Sequence, residues 1–323
     1  MKSFGDIRNK RVLYVATKNS DYLRVTQEIR LLRGQGNEVT VIASPSKSYP
    51  KRLMYVYRRL LAVNMDDFDL SFIGFAPQLV IPVFGWKLRK KPVVTDFFIS
   101  VYDTLCFDRK KFRPVSIPGR LARYIDKRTI KAADLVICDT KAHGRYFSDE
   151  FACSVKKIRA LYLEADSSIY YPRPAVKNKD FTVLYFGSIL PLQGVDVILD
   201  AIRILSSESG LRFVVIGPLG DNLRTGEEIT EYIDWLPQEE LAEKIASADL
   251  CLAGHFNGSI MKAKRTIPGK AYIYRAMEKP MILGDNPANH ELFSVEDEGI
   301  YFCPMSDPEA LARLILDIRE CQS

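Results

Sequence analysis

Short apolar runs alternate with amphipathic ones along the first half of the chain. RVLYVAT (11–17), EVTVIAS (38–44), LSFIGF (70–75), PVVTDFF (92–98) and DLVICDT (134–140) are runs of strand length rich in Val, Ile and Leu. Between them, DYLRVTQEIRLLRGQG (21–36), YPKRLMYVYRRLLAV (49–63) and IPGRLARYIDKRTIKAA (117–133) carry helical spacing, and PQLVIPVFGWKLRK is helix-like. Apolar runs without polar alternation, spaced by helices, are strands covered on both faces of a parallel sheet. The pattern predicts a doubly wound α/β fold.

At YYPRPAVKNKD (170–180) the pattern stops, and two prolines with three basic residues mark a linker. It then restarts with the strand FTVLYFGS, the helix GVDVILDAIRILSSESG and the strand LRFVVIG. EYIDWL, the helix PQEELAEKIASA, the strand DLCLAG, then GIYFCP and the helix DPEALARLILDIRE complete the chain, with Asp307 as N-cap and Pro308 at the first helical position. The expectation is two Rossmann-like domains, 1–169 and 181–323, joined by the linker and facing each other across a cleft at the carboxyl ends of their strands.

Length and charge sharpen that picture. A chain of 323 residues, 47% hydrophobic, exceeds what one core usually serves. Residues 1–170 hold 31 Lys+Arg against 17 Asp+Glu, and residues 171–323 hold 15 against 23. The basic half favours an anionic partner: anionic lipid headgroups, a phosphorylated substrate or nucleic acid. No nucleic-acid recognition motif accompanies the charge, so no nucleic-acid partner is expected. The six cysteines are scattered without a C-x-x-C, which fits buried free thiols better than disulfides or zinc. The opening MKSFGDIRNKR has no apolar signal core. The longest uncharged run, Leu70–Trp86, contains two prolines and reads as strand, turn and helix start.

Candidate chemistry clusters in a few places. In RTIPGKAYIYRAMEKPMILGD (265–285), with Lys262 and Lys264 just before, four cations (Lys262, Lys264, Arg265, Lys270) surround the Pro268-Gly269 turn. They suit a diphosphate leaving group, whose growing charge must be neutralised; a solvated basic loop is the plainer reading. Gly187 ends a strand and Gly194 opens a helix, so backbone N–H groups there can face a phosphate. Asp96 ends an apolar strand and Asp103 follows seven residues later. Either could take a substrate proton or hydrogen-bond a ligand, or both could be turn and cap residues. His143 follows a strand end and reads as cleft-facing or as a surface histidine at a helix start. His255 and His290 have no ligand-like spacing, and no metal is expected. The segment 49–63 interleaves Lys51, Arg52, Arg58 and Arg59 with Tyr and Leu, as a membrane-surface helix does, or as a packing helix with a basic outer face.

These residues carry a family resemblance. VLYFGSILPLQGVDVILDAI (183–202) resembles the strand, glycine loop and helix that open the nucleotide-binding domain of retaining GT-B glycosyltransferases. The segment 265–285 resembles their P-x-K-x-x-E-x-x-A-x-G-K-P-V-I motif, while DFFISVYDT (96–104) and ADLVICDTKAHGRYF (133–147) resemble a family-4-like bacterial branch of cell-surface polysaccharide pathways. The resemblance implies transfer of a sugar from a nucleotide sugar to an acceptor hydroxyl, with retention, no cofactor and no required metal. It places the donor in the C-terminal domain and a glycan or lipid-linked acceptor in the N-terminal one, where the basic surface could rest on anionic lipid.

Several positions depart from the family. Ser188 and Gln193 stand where relatives often carry Arg and Lys. The two glutamates of the family's E-x7-E pair fall at Arg265 and Ile273, and Ile273 cannot hold ribose hydroxyls; Glu278 replaces a glycine. Glu291 in NHELF, read as the start of a short helix, is a substitute ribose ligand, and Trp235 is a candidate for contact with the base. Many relatives have histidine near the position of Asp96. Relatives also often continue past the last helix, so the ending DIRECQS reads as short. The expectation is a cytoplasmic, membrane-peripheral glycosyltransferase. The alternatives are a catalytically inactive GT-B-like partner subunit, motivated by Ile273, Ser188, Gln193 and Glu278, and a nucleotide-sugar epimerase of the same architecture.

Overall fold

The computed structural model describes residues 7–19, 21–174, 178–225 and 228–322. The opening MKSFGD, residues 175–177 of the expected linker and Ser323 at the end of DIRECQS lie outside the described residues. The chain divides into two units, Met1–Leu163 and Glu164–Ser323. Residues 164–169, expected on the N-terminal side, and Tyr170, expected to open the linker, group with the second unit; there Tyr170 is buried and its backbone N–H donates to the Asp166 carbonyl.

In the first unit, β1 (Arg11–Val15), β2 (Glu38–Ile42), β3 (Leu70–Ile73), β4 (Val93–Asp96), β5 (Leu135–Cys138) and β6 (Ile158–Ala160) form a parallel sheet ordered β2-β1-β3-β4-β5-β6. Its helices are α1 (Leu23–Gly34), α2 (Tyr49–Ala62), α3 (Ile81–Leu88), α4 (Val101–Asp103), α5 (Ile117–Ala132) and α6 (Lys141–Phe151). Strand side chains alternate between two cores. Leu13 and Val15 pack with Val56 and Leu60 of α2 and Phe84 of α3. Val12 and Tyr14 pack with Val25 and Leu32 of α1 on the other face. The uncharged run from Leu70 is β3, a 3-10 turn at Pro77–Leu79 and the start of α3, as its prolines implied.

The second unit repeats the plan with β7 (Phe181–Phe186), β8 (Leu211–Ile216), β9 (Thr230–Ile233), β10 (Leu250–Gly254), β11 (Met281–Gly284) and β12 (Ile300–Cys303), in the parallel order β12-β11-β10-β7-β8-β9. Its helices are α7 (Val195–Ile204), α8 (Gln238–Ser247), α9 (Gly269–Ala276) and α10 (Pro308–Gln322). Asp307 caps α10, accepting the Ala310 N–H at 2.8 Å. The chain winds outward from β7 in one direction and from β10 in the other. Those two neighbours therefore open a crevice at their carboxyl ends, the place where doubly wound sheets take ligands. Five of the six cysteines are buried free thiols, and Cys321 is exposed. Among the described residues no helix is long and apolar enough to cross a membrane.

Candidate functional site

Three glycines sit at the strand ends beside that crevice. Gly187 follows β7 with φ +148°, Gly254 ends β10 with φ +86°, and Gly194 has φ +67° at the N-cap of α7. Between Gly187 and Gly194 the chain makes a 3-10 turn, Pro191–Gln193, pinned by the Phe256 N–H donating to the Gln193 carbonyl at 3.1 Å. A Cβ on Gly194 would stand 2.7 Å from the Asn257 nitrogen, so only glycine lets the two loops approach.

Lys270, in the first turn of α9, reaches into this place. Its Nζ donates to Gln193 Oε1 at 2.6 Å and lies 4.5 Å from the centroid of the Tyr185 ring. A Cβ on Gly187 would meet Lys270 Cε at 3.1 Å, and one on Gly254 would meet Gln193 Oε1 at 2.7 Å and Lys270 Nζ at 3.1 Å. The glycines therefore make room for the amine. Burial pushes the Lys270 amine down to about 7. Among the described residues no carboxylate pairs with it, and a helix N-terminus favours anions over cations. Such a cation is electrostatically out of place until an anion arrives.

His255 follows Gly254 with φ +57°, uncommon for a residue with a side chain. It is buried, and its Nδ1 donates to the Thr266 carbonyl at 2.9 Å. Burial, with Lys270 and Lys262 nearby, pushes it down to about 3, so the ring is neutral. It ties the end of β10 to the loop that delivers Lys270. The turn Met261–Lys264 carries Lys262 and Lys264, both part-exposed, and Arg265 Nε is held by the Met261 carbonyl at 3.1 Å. Of the four expected cations, Lys270 alone is buried among the strand-end glycines.

The other expected residues of this unit fall as follows. Gln193, read as a missing cation, is the partner of Lys270. Ser188 is exposed just past Gly187, and Trp235 is exposed on the loop after β9. Ile273 is half-buried on α9. Glu291 closes the three-residue 3-10 turn Asn289–Glu291 rather than opening a helix, so the helix-start reading of it is corrected. Glu278 occupies the left-handed position after α9 (φ +53°) that glycine fills best.

In the first unit the strand ends are closed by side chains. Asp96, at the end of β4, is buried, and Arg24 of α1 grips both its oxygens, Nε at 2.6 Å and Nη2 at 2.7 Å. Arg24 Nη1 also donates to Asp139 at 2.9 Å and to the Leu161 carbonyl at 3.2 Å. Glu28 lies 3.8 Å from Arg24 and accepts from the Tyr14 hydroxyl at 2.5 Å. Burial and the nearby Asp96 carboxylate push the Glu28 carboxyl up from its ordinary value. The expectation that Asp96 offers a free carboxylate is corrected: both oxygens are bound by a guanidinium fork. Asp103 is also buried, in the single turn of α4 whose start Ser100 caps. His143 is not on the surface; it is fully buried on α6, where its N–H bonds Thr140. The less buried member of the network is Asp139. Asp139, Tyr185 and Gly254 were not singled out from the sequence, and His255 was read only as a histidine without ligand-like spacing. For Gly254 and His255 the available signal was DLCLAGHF, an apolar strand ending in glycine.

Among the described residues no three or more His, Cys, Asp or Glu side chains are grouped as metal ligands. The fold is that of GT-B proteins. Over 96% of this chain and 90% of the other, it is similar to sucrose-phosphate synthase of Thermosynechococcus elongatus, with a TM-score of 0.64 and 13% identity. HepE of Anabaena, in a complex with UDP, gives a TM-score of 0.63 at 13% identity over 97% of this chain and 91% of the other. Residues 180–320 match the family described as glycosyl transferases group 1. The protein described as probable glycosyltransferase WbjE of Pseudomonas aeruginosa is 34% identical over 144 residues, 42% of this chain. That match spans 35% of the length of the relative.

Proposed function

We propose that the protein is a glycosyltransferase that moves a sugar from a nucleotide sugar to an acceptor hydroxyl with retention. The buried amine of Lys270 among the glycines at the ends of β7 and β10 carries this reading. It lies within the segment similar to glycosyl transferases group 1. The diphosphate of the donor sits against Lys270 and the backbone near Gly187 and the start of α7. As the sugar leaves, charge accumulates on the diphosphate and the lysine neutralises it. Lys270 thereby supplies the cation that Ser188 and Gln193 lack. Lys262, Lys264 and Arg265 add positive field, and Trp235 and Glu291 are the candidates for base and ribose. No metal or cofactor is part of the reading.

On the acceptor side, Asp139, the less buried of the two carboxylates that bind Arg24, meets the substrate, and Asp96 is a positioning residue that fixes Arg24. The acceptor is a glycan or a lipid-linked one in cell-surface polysaccharide assembly, and the protein works in the cytoplasm at a membrane surface. HepE was solved with UDP, which makes UDP the first nucleotide to test.

Thermal unfolding with UDP, GDP, TDP and CMP tests the reading. Ligand at a hundred times its Kd adds about 2.7 kcal/mol of stability. A rise in Tm with one nucleoside diphosphate, lost in Lys270→Met, is expected. No rise with any of them at millimolar levels would favour the inactive partner subunit, which Ile273 on α9 motivates. Consumption of donor without acceptor would favour an epimerase.

A further inference from the structure

We propose that the outer surface of α2, α3 and α5 docks on the face of an anionic lipid bilayer. The three helices are neighbours. Tyr57 of α2 stacks edge-on against Phe84 of α3 with centroids 5.0 Å apart, and Lys87 Nζ of α3 donates to the Leu60 and Leu61 carbonyls of α2. A groove of about 490 Å³ runs between α3 and α5, lined by Ile81, Pro82, Trp86 and Tyr124. Arg89, Arg128 and Lys131 line it too, and no carboxylate does.

The outward side chains have the wrong chemistry for a surface in water alone. On α5 the buried stripe runs through Ala122, Asp126, Thr129 and Ile130. The opposite stripe, at helical spacing, begins with Ile117 (84% exposed), Leu121 (56%) and Tyr124 (58%) and continues with Arg128 and Lys131. Beside it Trp86 is 69% exposed, and on α2 Met54 and Leu61 are each 63% exposed. The only acidic residue in all three helices is Asp126, which is buried. Aromatic and aliphatic side chains interleaved with Lys and Arg, without acids, match the boundary between headgroups and acyl chains. The sequence located membrane affinity on α2 through Lys51, Arg52, Arg58 and Arg59; Lys51, Arg58 and Arg59 are exposed, while Arg52 is buried and donates to the Thr17, Ser46 and Lys47 carbonyls. The surface is instead shared by three helices. An acidic soluble partner would answer the charge and leave Trp86, Leu121 and Ile117 in water; a bilayer answers both.

The inference deepens the acceptor-side reading, in which the work is done at a membrane, and it can fail alone: a protein that binds a nucleoside diphosphate but no vesicle refutes only the docking. The chain has two tryptophans, so Trp235→Phe leaves Trp86 as reporter. Vesicles of phosphatidylcholine with about one third phosphatidylglycerol should shift Trp86 emission to the blue, and pure phosphatidylcholine should not. Each cation near the surface is worth about fivefold in partitioning, so Arg128→Glu with Lys131→Glu should weaken vesicle binding by well over tenfold. Trp86→Ala in the natural background should weaken it several-fold. Inorganic phosphate should neither shift the emission nor compete. An unmoved Trp86, an equal shift with neutral vesicles or with single-stranded RNA, or undiminished vesicle binding by the charge-reversed protein would overturn the proposal.

Discussion

The two units hold similar sheets, and their strand ends are treated in opposite ways. In the first, Arg24 binds Asp96 and Asp139, and Glu28 accepts from Tyr14 beside it, although Glu28 Oε1 is buried without a hydrogen bond among the described residues. In the second, Lys270 stands among glycines with one neutral acceptor, Gln193. In the first arrangement the buried guanidinium meets its counter-charge without a ligand. The second leaves a buried amine with no carboxylate partner among the described residues, at the place where its strand order reverses. Topology offers a site at the end of each sheet; the side chains decide whether the protein closes it or leaves it for a substrate.

Removing Arg24 tests the closed site and should have the largest effect. Arg24→Met leaves Asp96 buried without its counter-charge, and breaking such a pair costs about 3–5 kcal/mol. Urea unfolding should show that loss; a change within about 1 kcal/mol would mean the network is not worth what its geometry implies.

The open site should respond with the other sign. Lys270→Met removes a buried cation, so the ligand-free protein should gain stability at pH 7, on the order of a few kcal/mol, while losing nucleotide affinity. The pH dependence fixes the cause. Burial lowers the amine from 10.5 to about 7, so between those values the unfolded chain holds more protons than the folded one. Stability of the natural protein should therefore rise with pH across that window, with the full penalty standing below about 7. The advantage of Lys270→Met should shrink over the same window. A constant advantage would show that lysine titration is not its source. His255 has the acid counterpart. Its folded value of about 3 against an ordinary 6.5 removes stability as pH falls between them, and His255→Asn should flatten that part of the curve.

Two smaller substitutions sharpen the contrast. Gly254→Ala puts a Cβ at φ +86° and 2.7 Å from Gln193 Oε1, which should cost about 1–2 kcal/mol and separate Gln193 from Lys270. Glu278→Gly relieves a left-handed residue after α9 and should add about 0.5–1 kcal/mol. Chemical denaturation of both variants reads the two signs.

The legible part of this molecule was the part that periodicity controls. The unbroken apolar runs gave the two parallel sheets, and the proline and glycine signals gave most helix ends; the short β6, none of whose three residues is fully buried, left no such trace. The site was legible as a set of residue types near Lys270. Its geometry was not, because the sequence does not show which of four neighbouring cations turns inward. Gln193 read as a lost cation because its partner lies 77 positions away. Asp96 read as available because nothing local to DFFISVYDT announces Arg24, 72 positions before it.

The central claim is that Lys270 is the counter-charge of a nucleoside diphosphate. Calorimetric titration of UDP, and then GDP and TDP, near pH 7.5 in buffers of different ionisation enthalpy measures both affinity and proton uptake. The account predicts that one of them binds the natural protein with net uptake of a proton, and that Lys270→Met binds it about thirtyfold or more weakly, without uptake. Equal affinity in the two proteins, or binding with no proton taken up by either, would contradict it.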